Sequence, residues 1–417
     1  MSVAVLGAGI TGIAVATELQ AAGIAATVFE REPEPGGLCR TRIVDGYTFD
    51  LSGGHIFNTK WDNVRQWFFQ WRPESEWEFH VRHAKVWYRP DLVVDYPFEL
   101  SLAQLPVDEA VDCLADLFAE KGDEPDNLED WLAWRFGRAI AERYLIPYNR
   151  KIWAREPRDL SPAWVRGKMP LPSVREILRA ALSRDATERA MPHSTFYYPA
   201  AGGIQGVMNA AAGTLTDLRC GQPVERVERV PGGWAVNGEG PFERVAWTLP
   251  LTLLPRIMDA AEPVVAAAAK LSHNGWTSTL FDLDLSQALG QETSWVYVPT
   301  PATHCNKLSN YGSFAVANAP PGHGSLMIDN VGRMEPEAVR DDARTLLPDL
   351  GDPIASAQTE HAYVVCDHRY EASVRTLHAF ADDIGLALLG RLGRWEYVNM
   401  DVCVRQAIDW VAGVRGS

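Results

Sequence analysis

Apolar positions in the first thirty residues fall into two short unbroken runs, Ser2–Leu6 and Ala25–Phe29, flanking a stretch, Ile10–Ala22, where they recur at helical spacing. Short continuous runs read as buried strands and a 3.6-residue recurrence reads as a helix, so the chain opens as β-α-β. Short strands follow to about residue 90. The character then changes: Leu102–Lys121 and Leu128–Tyr144 carry helical patterns, broken by PYNRKIW (147–153) and by the proline cluster KMPLPS (168–173). From Gly203, GIQGVMNAAAGTL reads as a helix. It leads into VERVERVPGGWAVNG (224–238), where two alternating runs flank Pro-Gly-Gly as in a hairpin. Beyond residue 250, strand patterns (Thr277–Leu283, Ser294–Pro299, Gly324–Asn330) mix with helical ones (Glu335–Leu347, Tyr370–Asp382). The final segment, GLALLGRLGRWEYVNMDVCVRQAIDW, returns to strand, glycine-rich loop and helix.

This pattern predicts a mixed α/β protein. At 417 residues the chain exceeds the usual size of one compact core. The reading is a discontinuous Rossmann-like domain (1–95, 196–250 and 381–417) with a helical insertion (96–195) and an antiparallel-sheet substrate domain (251–380). Composition narrows the partners: 39 basic against 54 acidic side chains give a net charge of −15, which disfavours nucleic acid while leaving room for a local basic pocket. Cys39, Cys113, Cys220, Cys305, Cys366 and Cys403 are scattered without metal-ligand spacing, so neither a metal site nor a disulfide framework is expected. The N-terminus enters the first strand directly, and no apolar segment reaches about 18 residues. The expectation is a cytoplasmic protein with no membrane partner.

Between the first strand and helix lies VLGAGITGIA (5–14), which puts Gly7, Gly9 and Gly12 on a strand-to-helix turn. There Gly7 turns the chain, Gly9 admits a pyrophosphate to the backbone and Gly12 lets helix pack on strand, with the helix N-terminus facing the phosphates. Glu30, ending the second strand, is placed to bind a ribose hydroxyl. Together these form a dinucleotide fingerprint.

Which dinucleotide follows from EPEPGGLCRT (32–41): Gly36, Gly37 and Arg40 resemble the second phosphate-proximal motif of FAD enzymes of the amine oxidase and protoporphyrinogen oxidase type. The resemblance implies FAD. Three further stretches, DLSGGHIFNTKWDNV (50–64), YNRKIWAREPRDLSP (148–162) and GRLGRWEYVNMDVCV (390–404), resemble segments of UDP-galactopyranose mutases in order and approximate separation, as does YPAAGGIQGVMNAA (198–211). On that resemblance, His55 and Asn58 lie over the flavin, and Tyr148 and Trp153 flank the uracil. Arg391 and Tyr397 hold the diphosphate, and Asn399 faces the sugar. Val224, Gly390, Met400 and Asp401 complete the cofactor site. The implied activity is interconversion of pyranose and furanose forms of a nucleotide sugar, through a sugar adduct on N5 of the reduced flavin. NAD(P)H is an admissible external reductant and a homodimer is admissible.

The sequence also departs from the mutase pattern. Asn58 replaces the second histidine of HIFHT, and Asn399 replaces an acidic residue two before the final aspartate. KMPLPS lacks the arginine that follows the corresponding proline, and Lys307 is the nearest basic residue to a second diphosphate arginine. These changes touch substrate rather than FAD, which points to a nucleotide sugar other than UDP-galactose. The alternative is an FAD-dependent oxidoreductase of the amine oxidase type, acting on an amine or a sugar-derived substrate. A non-catalytic FAD-binding protein is the third reading.

Overall fold

The computed structural model describes residues 1–165, 168–183, 194–290 and 292–415. The parts of the expected segments that fall on 166–167, 184–193, 291 and 416–417 lie outside the described residues. A five-stranded sheet runs in the order Ala387–Leu388, Arg244–Trp247, Ser2–Leu6, Ala25–Phe29, Leu218–Arg219, every neighbouring pair parallel. Three distant segments of the chain therefore supply one Rossmann-like sheet. Both its faces are covered, as a parallel sheet requires. The helix Ile10–Ala21, buried along most of its length, packs on one face with the terminal helix Met400–Arg415. Trp234, Trp247, Trp395 and the helices Glu262–Ala268 and Tyr370–Asp383 fill the other.

A second sheet of seven strands runs Pro353–Val365, Ser272–Phe281, Leu326–Val331, Cys305–Asn310, Trp295–Tyr297, Ala84–Arg89, Leu92–Asp95. All its pairs are antiparallel except Trp295–Tyr297 with Ala84–Arg89. Ala84–Asp95, expected within the first Rossmann segment, thus belongs to the larger sheet. The sequence reading missed Pro353–Val365, the longest strand, because IASAQTE mixes small and polar residues without clear alternation. The hairpin reading holds: Val227–Val230 and Gly233–Val236 pair antiparallel around Pro231-Gly232.

The insertion is helical, with two corrections. The predicted helix Leu102–Lys121 is a single turn at Leu102–Gln104, then a helix over Val107–Asp116 that starts after Pro106. Leu128–Tyr144 stops at Phe136 and Gly137, and restarts at Arg138. PYNRKIW does not break the helix. A wide π-type turn over Ala141–Leu145 hands on directly to Ile146–Trp153, and the looser i→i+5 spacing of that turn accommodates Pro147, which has no N–H to donate to the preceding turn. No helix among the described residues is long and apolar enough to cross a membrane.

Candidate active site

A cavity of about 1140 Å³ lies between the two sheets and the helical insertion, lined by residues from both ends of the chain and from every segment between. At one end, Gly7, Gly9, Glu30, Gly37, Arg40 and Val224 face it. A side chain at position 12 would place Cβ 1.8 Å from the Gly7 carbonyl oxygen, so helix and turn approach as closely as the fingerprint requires. Gly36 is bonded through its N–H to the Ala8 carbonyl (2.8 Å), which lays the second glycine motif against the first. The helix starting at Ile10 has no side-chain cap, leaving its N-terminal N–H groups directed outward. Glu30 accepts from the backbone N–H of Ala8 (2.7 Å) and Glu32 (2.9 Å), which fixes its carboxylate at the cavity wall. Arg40 donates to the Gly37 carbonyl (3.1 Å) and to Glu32 (3.2 Å), bracing the loop.

His55, Asn58, Gly390, Arg391, Met400 and Asp401 converge further along, and all but Gly390 line the cavity. Gly390 backs it, packed on Thr11. Burial lowers the His55 pKa, with the nearby Asp50 carboxylate working in the other direction, so the ring stays neutral at neutral pH. Its Nδ1 has no protein partner. Asn58 differs from its expected role: its amide Nδ2 donates to the Thr195 carbonyl, so that end of the side chain is a structural tie and only the oxygen end is available to a ligand. Asp401, in the first turn of the terminal helix, has a pKa raised by burial and an Oδ1 without a partner.

The residues expected on the substrate side surround Tyr397. Burial pushes its phenol pKa well above the tyrosine norm. Trp153 and Trp164 meet its ring edge-to-face at 5.6 and 5.9 Å, and the cationic groups of Lys168 and Arg391 lie 4.6 and 4.9 Å from the ring centre. The structure brings Tyr148 and Trp153 to the same cavity but in different roles. Trp153 is 1% exposed, and its indole N–H is taken by Asn149 (3.1 Å), so it buttresses Tyr397. Tyr148 is partly exposed and stacks on Tyr144 (5.8 Å, 21°) with Tyr297 at its edge, which presents a more open aromatic surface.

The expected phosphate grip is rearranged. Arg391 donates from Nη1 to the Val398 carbonyl (3.2 Å) and from Nη2 to the Ala362 carbonyl (2.7 Å); its buried Nε has no partner. The guanidinium fork is therefore oriented by the protein before any ligand arrives. Burial works against the charge on Lys307, but an ion pair with Asp329 (2.9 Å) outweighs it and holds the ammonium pKa above the lysine norm.

Sequence reasoning missed Lys168. Its ammonium donates to Asn399 Oδ1 (2.8 Å), and burial, with Arg391 nearby, lowers its pKa to about 8. The proline segment thus supplies a cation upstream of the position where an arginine was sought. The asparagine that replaces the family's acidic residue is its hydrogen-bond partner.

Residues 5–71 match a family model described as an NAD(P)-binding Rossmann-like domain. The whole chain superimposes on reduced UDP-galactopyranose mutase with a TM-score of 0.89 and 23% identity, covering 100% of this chain and 95% of that one. Wild-type putrescine oxidase bound to putrescine gives a TM-score of 0.64 at 17% identity, with both chains fully covered. A carotenoid phi-ring synthase from Streptomyces griseus is 44% identical over 68 residues, a match spanning 15% of this chain and 13% of that protein. At these identities the structural likeness is one of fold: a mixed α/β architecture built on a Rossmann-like nucleotide-binding domain, shared with UDP-galactopyranose mutase and putrescine oxidase.

Proposed function

We propose that this protein is an FAD-dependent enzyme that isomerises a nucleotide sugar between pyranose and furanose forms, with a substrate other than UDP-galactose. The observation that carries the reading is the cluster of Lys168, Lys307 and Arg391 around Tyr397, in the same cavity as Tyr148 and the dinucleotide fingerprint. Cations beside aromatic rings suit a diphosphate joined to a flat base. They disfavour an amine substrate, which would enter carrying its own positive charge.

The residues present fit FAD. Glu30 is placed for the ribose, and the turn from Gly7 to Gly12 with the helix beyond it suits the pyrophosphate. Gly37, Arg40 and Val224 complete that wall, with Gly36 tied to Ala8 behind it. At the flavin end, His55 Nδ1 and Asp401 Oδ1 are buried polar atoms without protein partners, as a site that completes its hydrogen bonds to a ligand would leave them. Reduced FAD, when bound, supplies an electron-rich centre able to attack an anomeric carbon.

The chain's own residues then have separate tasks. Lys168, Arg391 and Tyr397, with Lys307 behind them, hold the diphosphate as charge builds on it when the glycosidic bond breaks. Tyr148 packs the base. His55, neutral, and the Asn58 oxygen orient the sugar, while Asn399 orients Lys168. NAD(P)H serves as external reductant.

The test is a panel of nucleotide sugars offered to dithionite-reduced protein, with furanose products separated by anion-exchange chromatography. A furanose product that forms only under reducing conditions, without oxygen uptake, supports the proposal. Stoichiometric peroxide release on an amine, or no product and no binding across the panel, overturns it.

A further inference from the structure

Strand Pro353–Val365 pairs with Ser272–Phe281 through two irregularities, and at the larger of them Glu360, His361 and Ala362 stand opposite Gly275 alone: Tyr363 pairs with Asn274, and Thr359 with Trp276. In a regular strand, consecutive side chains point to opposite faces. Here the bulge lets Glu360 and His361 reach the same point. His273, on the partner strand, lies beside them with its ring stacked on His361 (4.1 Å, 21°). The potential ligand atoms of His273, Glu360 and His361 all lie within 4.8 Å of one another. Side-chain rotation alone closes such a set onto one ion at about 2.0–2.2 Å, by opening the stacked rings so that their nitrogen lone pairs converge.

We propose that His273, Glu360 and His361 bind one divalent transition-metal ion of the zinc class at the rim of the cavity. Two imidazoles and a carboxylate are a donor set for zinc, cobalt or nickel rather than for calcium or magnesium, which prefer all-oxygen ligands. Three protein ligands leave a coordination position open. Glu360 and His361 both line the cavity, so that position is accessible to an anionic oxygen of a ligand there. The same bulge carries the Ala362 carbonyl that orients Arg391, so the ion also braces the backbone holding that guanidinium.

The test uses the full chain, freed of metal with a chelator and titrated with Co(II) while its visible d–d bands are followed, then displaced with Zn(II). One equivalent is expected to bind. H273N and H361N are each expected to weaken it at least tenfold, since loss of an outer-shell partner alone costs about 10–100-fold. Glu360 is 74% exposed, so E360Q leaves the fold intact. One equivalent of Zn(II) should raise the unfolding temperature of the parent protein and not that of E360Q. Absence of saturable one-equivalent binding overturns the proposal, as does an affinity unchanged in all three variants.

Discussion

Replacing Lys168 with methionine separates what this side chain does for the fold from what it does for a ligand. Burial takes its pKa from 10.5 to about 8, so holding the ammonium charged at pH 7 costs the folded state about 3 kcal/mol, at about 1.4 kcal/mol per pKa unit. Methionine cannot donate to Asn399, and losing that bond offsets about 1–2 kcal/mol of the gain. Methionine keeps most of the volume and removes the charge, so Lys168→Met should be more stable than the parent by about 1–2 kcal/mol at pH 7. The pH dependence fixes the sign. A lysine whose folded pKa is depressed destabilises fully below about pH 8, and the penalty fades as pH rises toward the unfolded value of 10.5. The variant's advantage should therefore shrink above pH 8. UDP binding should move the other way, weakening by about 10–100-fold on loss of a charge-assisted phosphate contact. In the parent it should weaken as pH rises through 8. Urea unfolding at pH 7 and pH 10, with calorimetric UDP titration, checks both limbs. A variant less stable at pH 7, or one binding UDP within twofold of the parent, would refute the reasoning.

Asn399→Asp gives Lys168 an anionic partner, so stability at pH 7 should rise and UDP affinity fall; the reverse signs, read in the same two assays, would contradict the assignment of Lys168. Asp329→Asn leaves Lys307 buried without its counter-ion, at an expected loss of about 3–5 kcal/mol in urea unfolding and a gain in UDP affinity from the released cation. Gly390→Ala would put Cβ 2.2 Å from Thr11 Oγ1 at a φ of +77°, so it should lose at least about 2 kcal/mol of stability and purify with less flavin, seen in the ratio of 450 to 280 nm absorbance.

Local patterns carried much of this architecture. The β-α-β start, the fingerprint glycines, Glu30 and the hairpin around Pro231-Gly232 were legible because each is set by neighbours within a few residues. The long strand Pro353–Val365 was not, because its pairing with Ser272–Phe281 is decided by tertiary contacts between distant segments rather than by its own alternation. The helix through PYNRKIW was misread for a different reason: a proline inside a helical pattern signals a break unless a wide turn precedes it, as Ala141–Leu145 does here. At the candidate site, most of the residues that line the cavity were legible but their hydrogen-bond partners were not. Nothing near Asn58 in sequence announces its tie to Thr195, 137 residues away, and nothing near Lys168 announces Asn399, 231 residues away. The one available signal for Lys168 was a basic residue in a segment already noted for lacking an arginine.

An acidic chain of net charge −15 can hold an anionic ligand only if a few cations are shielded from the rest of the surface and kept incompletely neutralised. The three cations around Tyr397 meet that requirement unequally. Lys307 is paired with Asp329, which is 0% exposed, so it already has most of its compensation. Arg391 is fixed by two main-chain carbonyls, which orient the guanidinium without cancelling its charge. Lys168 is bonded to a neutral amide, and its lowered pKa shows that nearby Asp401 does not make up for burial and the neighbouring Arg391. A dianionic phosphate group therefore gains most at Lys168 and Arg391, where positive charge is least compensated. An acid at position 399 would remove that difference by supplying the carboxylate from within the protein. The asparagine there, a departure from the mutase pattern in sequence, leaves the charge on Lys168 uncompensated by the protein, at the cost of a lowered pKa.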